Sequence, residues 1–140
     1  MKKVLVILTL ATLVIASCSK DKEGCNDRRA SNYDENVVVD DGSCIFTKVS
    51  FYADSSEING IPISEIEVTV NGAIIGTFNG YHLTGTDVCN ATNTAVFETN
   101  GETSVDWSAT VYQFGGTTVA LSGSVTGIGT QGCVISQVLP

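Results

Sequence analysis

Positive charge, histidine and helical periodicity are scarce in this chain. No lysine or arginine follows Lys48, while eight acidic residues are spread over the remaining sequence. A nucleic-acid surface needs lysine and arginine to neutralise phosphates, so that class of partner is excluded, and nucleotide chemistry loses its usual cation. The single histidine, His82, and the lack of any C-x-x-C spacing argue against a thiolate or imidazole metal site. No glycine-rich phosphate loop and no nucleophile elbow is present. No segment has the 3.6-residue periodicity of a useful amphipathic helix. The longest apolar run, Val4 to Ala16, is thirteen residues, well short of the roughly 20 a membrane-spanning helix needs.

That run belongs to a leader. Lys2 and Lys3 precede it, and Ile15-Ala16-Ser17-Cys18 closes it. Charged start, short apolar core and small-residue end are the parts of a secretion signal. The closing residues resemble the bacterial lipobox. The resemblance implies cleavage before Cys18, a diacylglycerol thioether on Cys18 and an acylated (palmitate-type) new amino terminus. Several acyl chains at about 0.8 kcal/mol per buried methylene anchor a protein stably. Ser19-Lys20-Asp21-Lys22-Glu23 follows as a solvated tether. Its position resembles the charged export signal of Bacteroidota-type lipoproteins, which implies the outer membrane and a surface-exposed leaflet.

Once residues 1–17 are removed, five Lys/Arg face fifteen Asp/Glu, a formal charge of −10. Such a surface keeps a protein soluble and attracts cations or basic partners. Setting Cys18 aside leaves Cys25, Cys44, Cys89 and Cys133, an even number in an oxidising compartment. Composition and turn signals divide the chain near Phe46, which pairs Cys25 with Cys44 and Cys89 with Cys133. The organisation read from the sequence is a leader at 1–17, a tether at 18–23, an acidic cysteine-bounded module at 24–44 and a β-domain at 46–140.

The module, GCNDRRASNYDENVVVDDGSC, is too short and polar to bury a core, so a disulfide, an ion or both must hold it. Asp27, Asn32, Asp34, Asn36, Asp40 and Asp41 offer side-chain oxygens of the kind calcium takes six to eight of. An EF-hand is not supported, because Val37 and Ser43 stand where that loop needs glycine and glutamate. The stretch resembles the short cysteine-bounded repeat of Bacteroidota extracellular proteins, GC-x-D-P-x-A-x-N-Y-N-P-x-A-x-x-D-D-G-S-C. It keeps Gly24, Cys25, Asp27, Ala30, Asn32, Tyr33, Asp40, Asp41, Gly42, Ser43 and Cys44, and departs at Arg28, Glu35 and Val37. The resemblance implies a small stalk, with Ca2+ as the one candidate cofactor.

The β-domain alternates apolar and polar residues. Val49, Phe51 and Ala53 form one such row, Ile66, Val68 and Val70 a second, and Val105, Trp107, Ala109 and Val111 a third. Asn71-Gly72 predicts a two-residue type I′ hairpin. Gly115-Gly116 predicts the next turn, and a last strand runs from Cys133 to Val138. About seven short strands predict an all-β fold: a small antiparallel β-sandwich, immunoglobulin- or transthyretin-like, with Trp107 as core anchor. The domain is similar to small Bacteroidota β-sandwich domains of unassigned activity. Its match comprises Val49 and Phe51, Val68 to Gly76, Tyr81 to Cys89, Ala95 and Phe97, Trp107 to Val111, and Cys133. That resemblance implies a fold and a companion module, not a reaction.

Catalytic combinations can be nominated but none has a recognisable context. His82 with Asp87 lacks a framed nucleophile, and Glu65, Glu67, Glu98 and Asp106 offer only carboxylates on alternating strands. The Asn90-Ala91-Thr92 sequon carries little weight in a bacterium. Tyr81, Tyr112 and Phe114 are candidates for a sugar- or peptide-binding face. The sequence therefore predicts a non-enzymatic envelope lipoprotein, held to the membrane by its lipid, displaying an acidic sandwich for structural, binding or adhesion work toward a protein or glycan. The alternative is a small secreted hydrolase or hydrolase inhibitor, which requires His82 and an acid to meet in a pocket, or a carbohydrate-binding accessory protein. The leading reading expects His82 exposed and unpartnered.

Overall fold

Alternating side chains become strands throughout the computed structural model, which describes residues 20–82, 89, 91–130 and 132–140. The expected leader at 1–17, Cys18, Ser19, Asp87 and Asn90 lie outside the described residues. In the small module, β1 (Glu23–Gly24) pairs in parallel with β2 (Val39–Asp40). The larger domain follows with β3 (Lys48–Tyr52), β4 (Glu57–Ile58), β5 (Ile61–Val70) and β6 (Ala73–Phe78). It continues with β7 (Ala95–Glu98), β8 (Ser104–Gln113), β9 (Thr118–Thr126) and β10 (Cys133–Gln137).

Two sheets face each other. One has the order β10-β3-β7; the other runs β4-β5-β8-β9, with β6 also paired to β5. The three predicted apolar rows are the facing surfaces: Val49, Phe51, Ala53, Ile66, Val68, Val70, Val105, Ala109 and Val111 are all buried. Each such side chain withdrawn from water contributes about 1.5–3 kcal/mol before entropy is charged against it. The sheets approach along one border, where a β-carbon added to Gly76 on β6 would sit 3.5 Å from Ala95 Cβ on β7. At the opposite border, β9 has no second strand partner among the described residues.

The predicted Asn71-Gly72 turn is present: both residues have positive φ, 51° and 81°, and Val70 faces Ala73 directly. Positive φ at both central positions is what a type I′ turn requires, and Asn-Gly supplies it with least strain. Asn59-Gly60, φ 55° and 75°, makes a second two-residue turn between β4 and β5, which the sequence reading did not single out. Both predicted disulfides are formed, Cys25–Cys44 and Cys89–Cys133, with Cα separations of 4.8 and 6.0 Å.

Two expectations need adjusting. The domain is not wholly antiparallel, because β10 runs parallel to β3 over Cys133–Gln137. Parallel neighbours need a long crossover between them, and the whole intervening domain provides it. Trp107 packs against the core but remains half-buried. Phe51 occupies the centre, and the Trp107 ring meets it edge-on at 5.9 Å between centroids.

Candidate functional site

The acidic module shows how its six oxygen-bearing residues are used. Asp27 takes a two-pronged ion pair from Arg29, with Nε to Oδ1 at 3.0 Å and an Nη2 contact to Oδ2 at 2.6 Å. The Arg29 backbone N–H adds a third bond at 2.9 Å. These bonds, the guanidinium's first, hold the Asp27 carboxyl down at about 2. Asp34 is likewise held at about 2, chiefly by the Lys22 ammonium and then by the Asn36 amide groups.

Asp40 and Asp41 accept the backbone N–H groups of Gly42 and Ser43, each at 2.9 Å. The Ser43 contacts lower the Asp41 pKa. Asn32 spans the loop, donating to the Ser43 carbonyl at 2.7 Å and accepting from the Ile45 N–H at 2.8 Å. The candidate calcium ligands thus serve as turn caps and as partners of the protein's own cations. Among the described residues, no group of three or more His, Cys, Asp or Glu is placed to hold a metal.

Arg29 also joins the two modules. Its Cβ and Cδ lie over Gly101, where an added β-carbon would sit 2.5 Å from the arginine Cβ. Gly101 follows Asn100 in a turn with φ of 48° and 86°, so the same glycine supplies both the backbone conformation and the close approach. Beside this contact is a cleft of about 250 Å³, bounded by Arg28 and Arg29 from the module and by Thr99, Glu102, Thr103 and Ile128 from the sandwich. Arg28 extends its guanidinium to 5.9 Å from the Tyr33 ring centroid. The cleft offers one guanidinium, hydroxyls and a carboxylate to a small polar group. Its size falls below the roughly 300–1,000 Å³ of pockets that enclose a small-molecule ligand.

Among the described residues, the nominated catalytic groups sit on different elements. His82 is half-buried, with Nε2 3.0 Å from the Thr92 carbonyl oxygen and its backbone N–H donating to Ala53 at 2.8 Å. It is therefore not unpartnered, its hydrogen bonds running to backbone carbonyls. Asp87, the acid nominated with it, lies outside the described residues; the chain between β6 and β7 uses His82 as a backbone tie. Glu65 and Glu67 lie on β5 and Asp106 on β8, whereas Glu98 sits on β7 opposite Lys48. Tyr112 and Phe114 share the outward side at the end of β8, and Tyr81 stands in the loop after β6; all three are exposed.

One polar residue escaped the sequence reading. Gln113 is buried at the end of the inward row of β8, and its Nε2 donates to the carbonyls of Ile58 and Ile61 at 3.0 and 3.3 Å. It fastens the β4–β5 turn to β8. Only its place in the alternating row pointed inward.

Fold and site define a two-module all-β protein: a disulfide-stapled acidic loop seated on a small β-sandwich. Comparison with known protein families, characterised proteins and solved structures finds no match.

Proposed function

We propose that the chain is a non-enzymatic envelope lipoprotein that displays its acidic sandwich, on a short stalk, for binding or structural work at the cell surface. The observation that carries this reading is the seating of Arg29 on Gly101, because it fixes the sandwich relative to the end of the chain that bears the leader. A tether alone would leave the domain free to tumble; a stapled module packed on it gives a defined presentation. Lipid on Cys18 supplies the anchor, and the lysine- and acid-bearing segment after it supplies the spacing.

The test is metabolic labelling with palmitate, membrane fractionation and protease treatment of whole cells. Labelled, membrane-bound protein that external protease degrades is the expected result, with label and membrane retention both lost in Cys18→Ala. Unlabelled protein in the soluble fraction would overturn the reading.

A second reading, a carbohydrate-binding accessory role, is favoured by the exposure of Phe114 (66%) and Tyr112 (36%) on one side of β8. Exposed aromatic rings provide the flat apolar surface on which sugar rings stack. Retardation of the protein in polysaccharide-containing gels, abolished by Phe114→Ala, would support it; equal mobility with and without polysaccharide would rule it out.

A further inference from the structure

Strand β9 is the open border of the larger sheet. It pairs with β8 in unbroken register from Tyr112↔Thr118 to Ser104↔Thr126, and among the described residues nothing pairs with its other edge. Soluble proteins blunt such edges with lysine, proline, a bulge or a covering segment. β9, Thr-Val-Ala-Leu-Ser-Gly-Ser-Val-Thr, carries none of the first three, and no charge at all. The residues that point away from the core, Thr118, Ala120, Ser122, Ser124 and Thr126, are exposed. Val119 and Leu121, on the inward side, are only half-covered.

The sequence of β9 is nearly its own mirror about Ser122. Laid antiparallel against a second copy with a twofold axis at Ser122, Thr118 faces Thr126, Val119 faces Val125, Ala120 faces Ser124 and Leu121 faces Gly123. On the outer side Thr118 then meets Thr126, Ser122 meets Ser122 and the Ala120 methyl meets the small Ser124 side chain, while every inward apolar residue meets an apolar residue or a gap. The gap matters. Gly123 lies opposite Trp107, whose Cζ2 would be 2.8 Å from a β-carbon there, so the indole already leans over the glycine. Leu121 of the second copy would approach that ring from the other side. We propose that β9 pairs with β9 of a second copy of this chain, joining the two larger sheets into one continuous sheet.

Charge permits this despite two strongly acidic partners. The one acid on the adjacent strand β8 is Asp106, opposite Ser124. Its counterpart lies three strand spacings across, ~14 Å at about 4.8 Å per spacing, and four residues along, ~13 Å at about 3.3 Å each, a separation of roughly 20 Å that exceeds the Debye length of about 8 Å at physiological salt. A single strand pair buries less than the roughly 1,600 Å² of a standard interface, so the dimer is reversible. It weakens at low salt, where screening fails.

The test uses the chain from Lys20 to Pro140, which holds every element described, by sedimentation velocity from 5 to 500 µM in 0.15 M salt. Dimer fraction should rise with concentration, and emission of the only tryptophan should change in parallel. Ser122→Lys, on an exposed outward position, should stay monomeric with an unchanged far-ultraviolet spectrum. In 0.01 M salt the wild-type dissociation constant should be at least tenfold higher. Register is read separately. Under mild oxidant Ser122→Cys should form a covalent dimer by itself, whereas Thr118→Cys should do so only when mixed with Thr126→Cys. A wild-type chain monomeric at 500 µM, a dimer that survives Ser122→Lys, or Ser122→Cys that fails to cross-link would each overturn the proposal.

Discussion

At the scale of single residues, the strongest statements concern side chains that take the place of something else. Trp107 fills the space that a side chain on Gly123 would need. Replacing a strand-interior glycine ordinarily stabilises by about 0.5–1 kcal/mol, because the unfolded chain loses freedom. Here Gly123→Val is expected to destabilise by about 1–3 kcal/mol through overpacking against the indole, and to shift tryptophan emission. Chemical denaturation followed by fluorescence reads both at once. A stabilised variant would show that the ring does not rest there.

Arg29 and Lys22 stand beside carboxylates where an external cation could have bound. Asp27 and Asp34 titrate at about 2 in the folded chain, against roughly 3.9 when unfolded. Above about pH 4 the unfolded state also holds these groups ionised, and their contribution to stability is fully present. Between about pH 4 and 2 the unfolded chain binds protons that the folded one refuses, so the contribution falls away as pH drops. Carboxyl titration followed by NMR should give midpoints near 2 for both residues, and Asp27→Asn should flatten part of the acid-induced loss of stability.

At the scale of elements, turn chemistry and alternation were legible because both are local. Asn71-Gly72 needs only its own φ values, and the rows on β3, β5 and β8 need only the two-residue repeat of a strand. The parallel seat of β10 was not legible, because a strand's own residues do not encode which neighbour it meets or in what direction. The module was half-legible. Its disulfide followed from counting cysteines, yet the destination of its acidic oxygens depended on where Lys22 and Arg29 folded back. The staple makes a checkable claim at this scale. Cys25→Ser with Cys44→Ser removes a bridge spanning 19 residues, worth about 3 kcal/mol in the loop-entropy account. Hydrogen exchange should then lose protection across residues 24–44 while β5 and β8 keep theirs. Loss of protection in β5 as well would show that the sandwich depends on its stalk.

At the scale of the whole molecule, an unbalanced charge meets a small core. Fifteen acids face seven basic residues over the full chain, so the folded form repels itself and added salt should stabilise it. The melting midpoint is expected to rise by a few degrees between 0.01 and 0.15 M sodium chloride, roughly what about 1 kcal/mol yields in a domain of this size. Calcium chloride at matched ionic strength should give the same midpoint if the module's carboxylates stay with Lys22, Arg29 and the turn N–H groups. A higher midpoint in calcium alone would show a specific cation site.

The sequence by itself determined the strand periodicity, the tight Asn-Gly turn and the even number of cysteines left for two bridges. Each of these is a short-range pattern or a count, and none depends on distant neighbours. Only the tertiary structure decided that Arg29 seats the module on Gly101, that Trp107 rests over Gly123 at the core's margin, that His82 ties a backbone, and that β9 is left as an edge. Those outcomes depend on which side chains, far apart in the chain, compete for the same space once the two sheets close over their apolar faces.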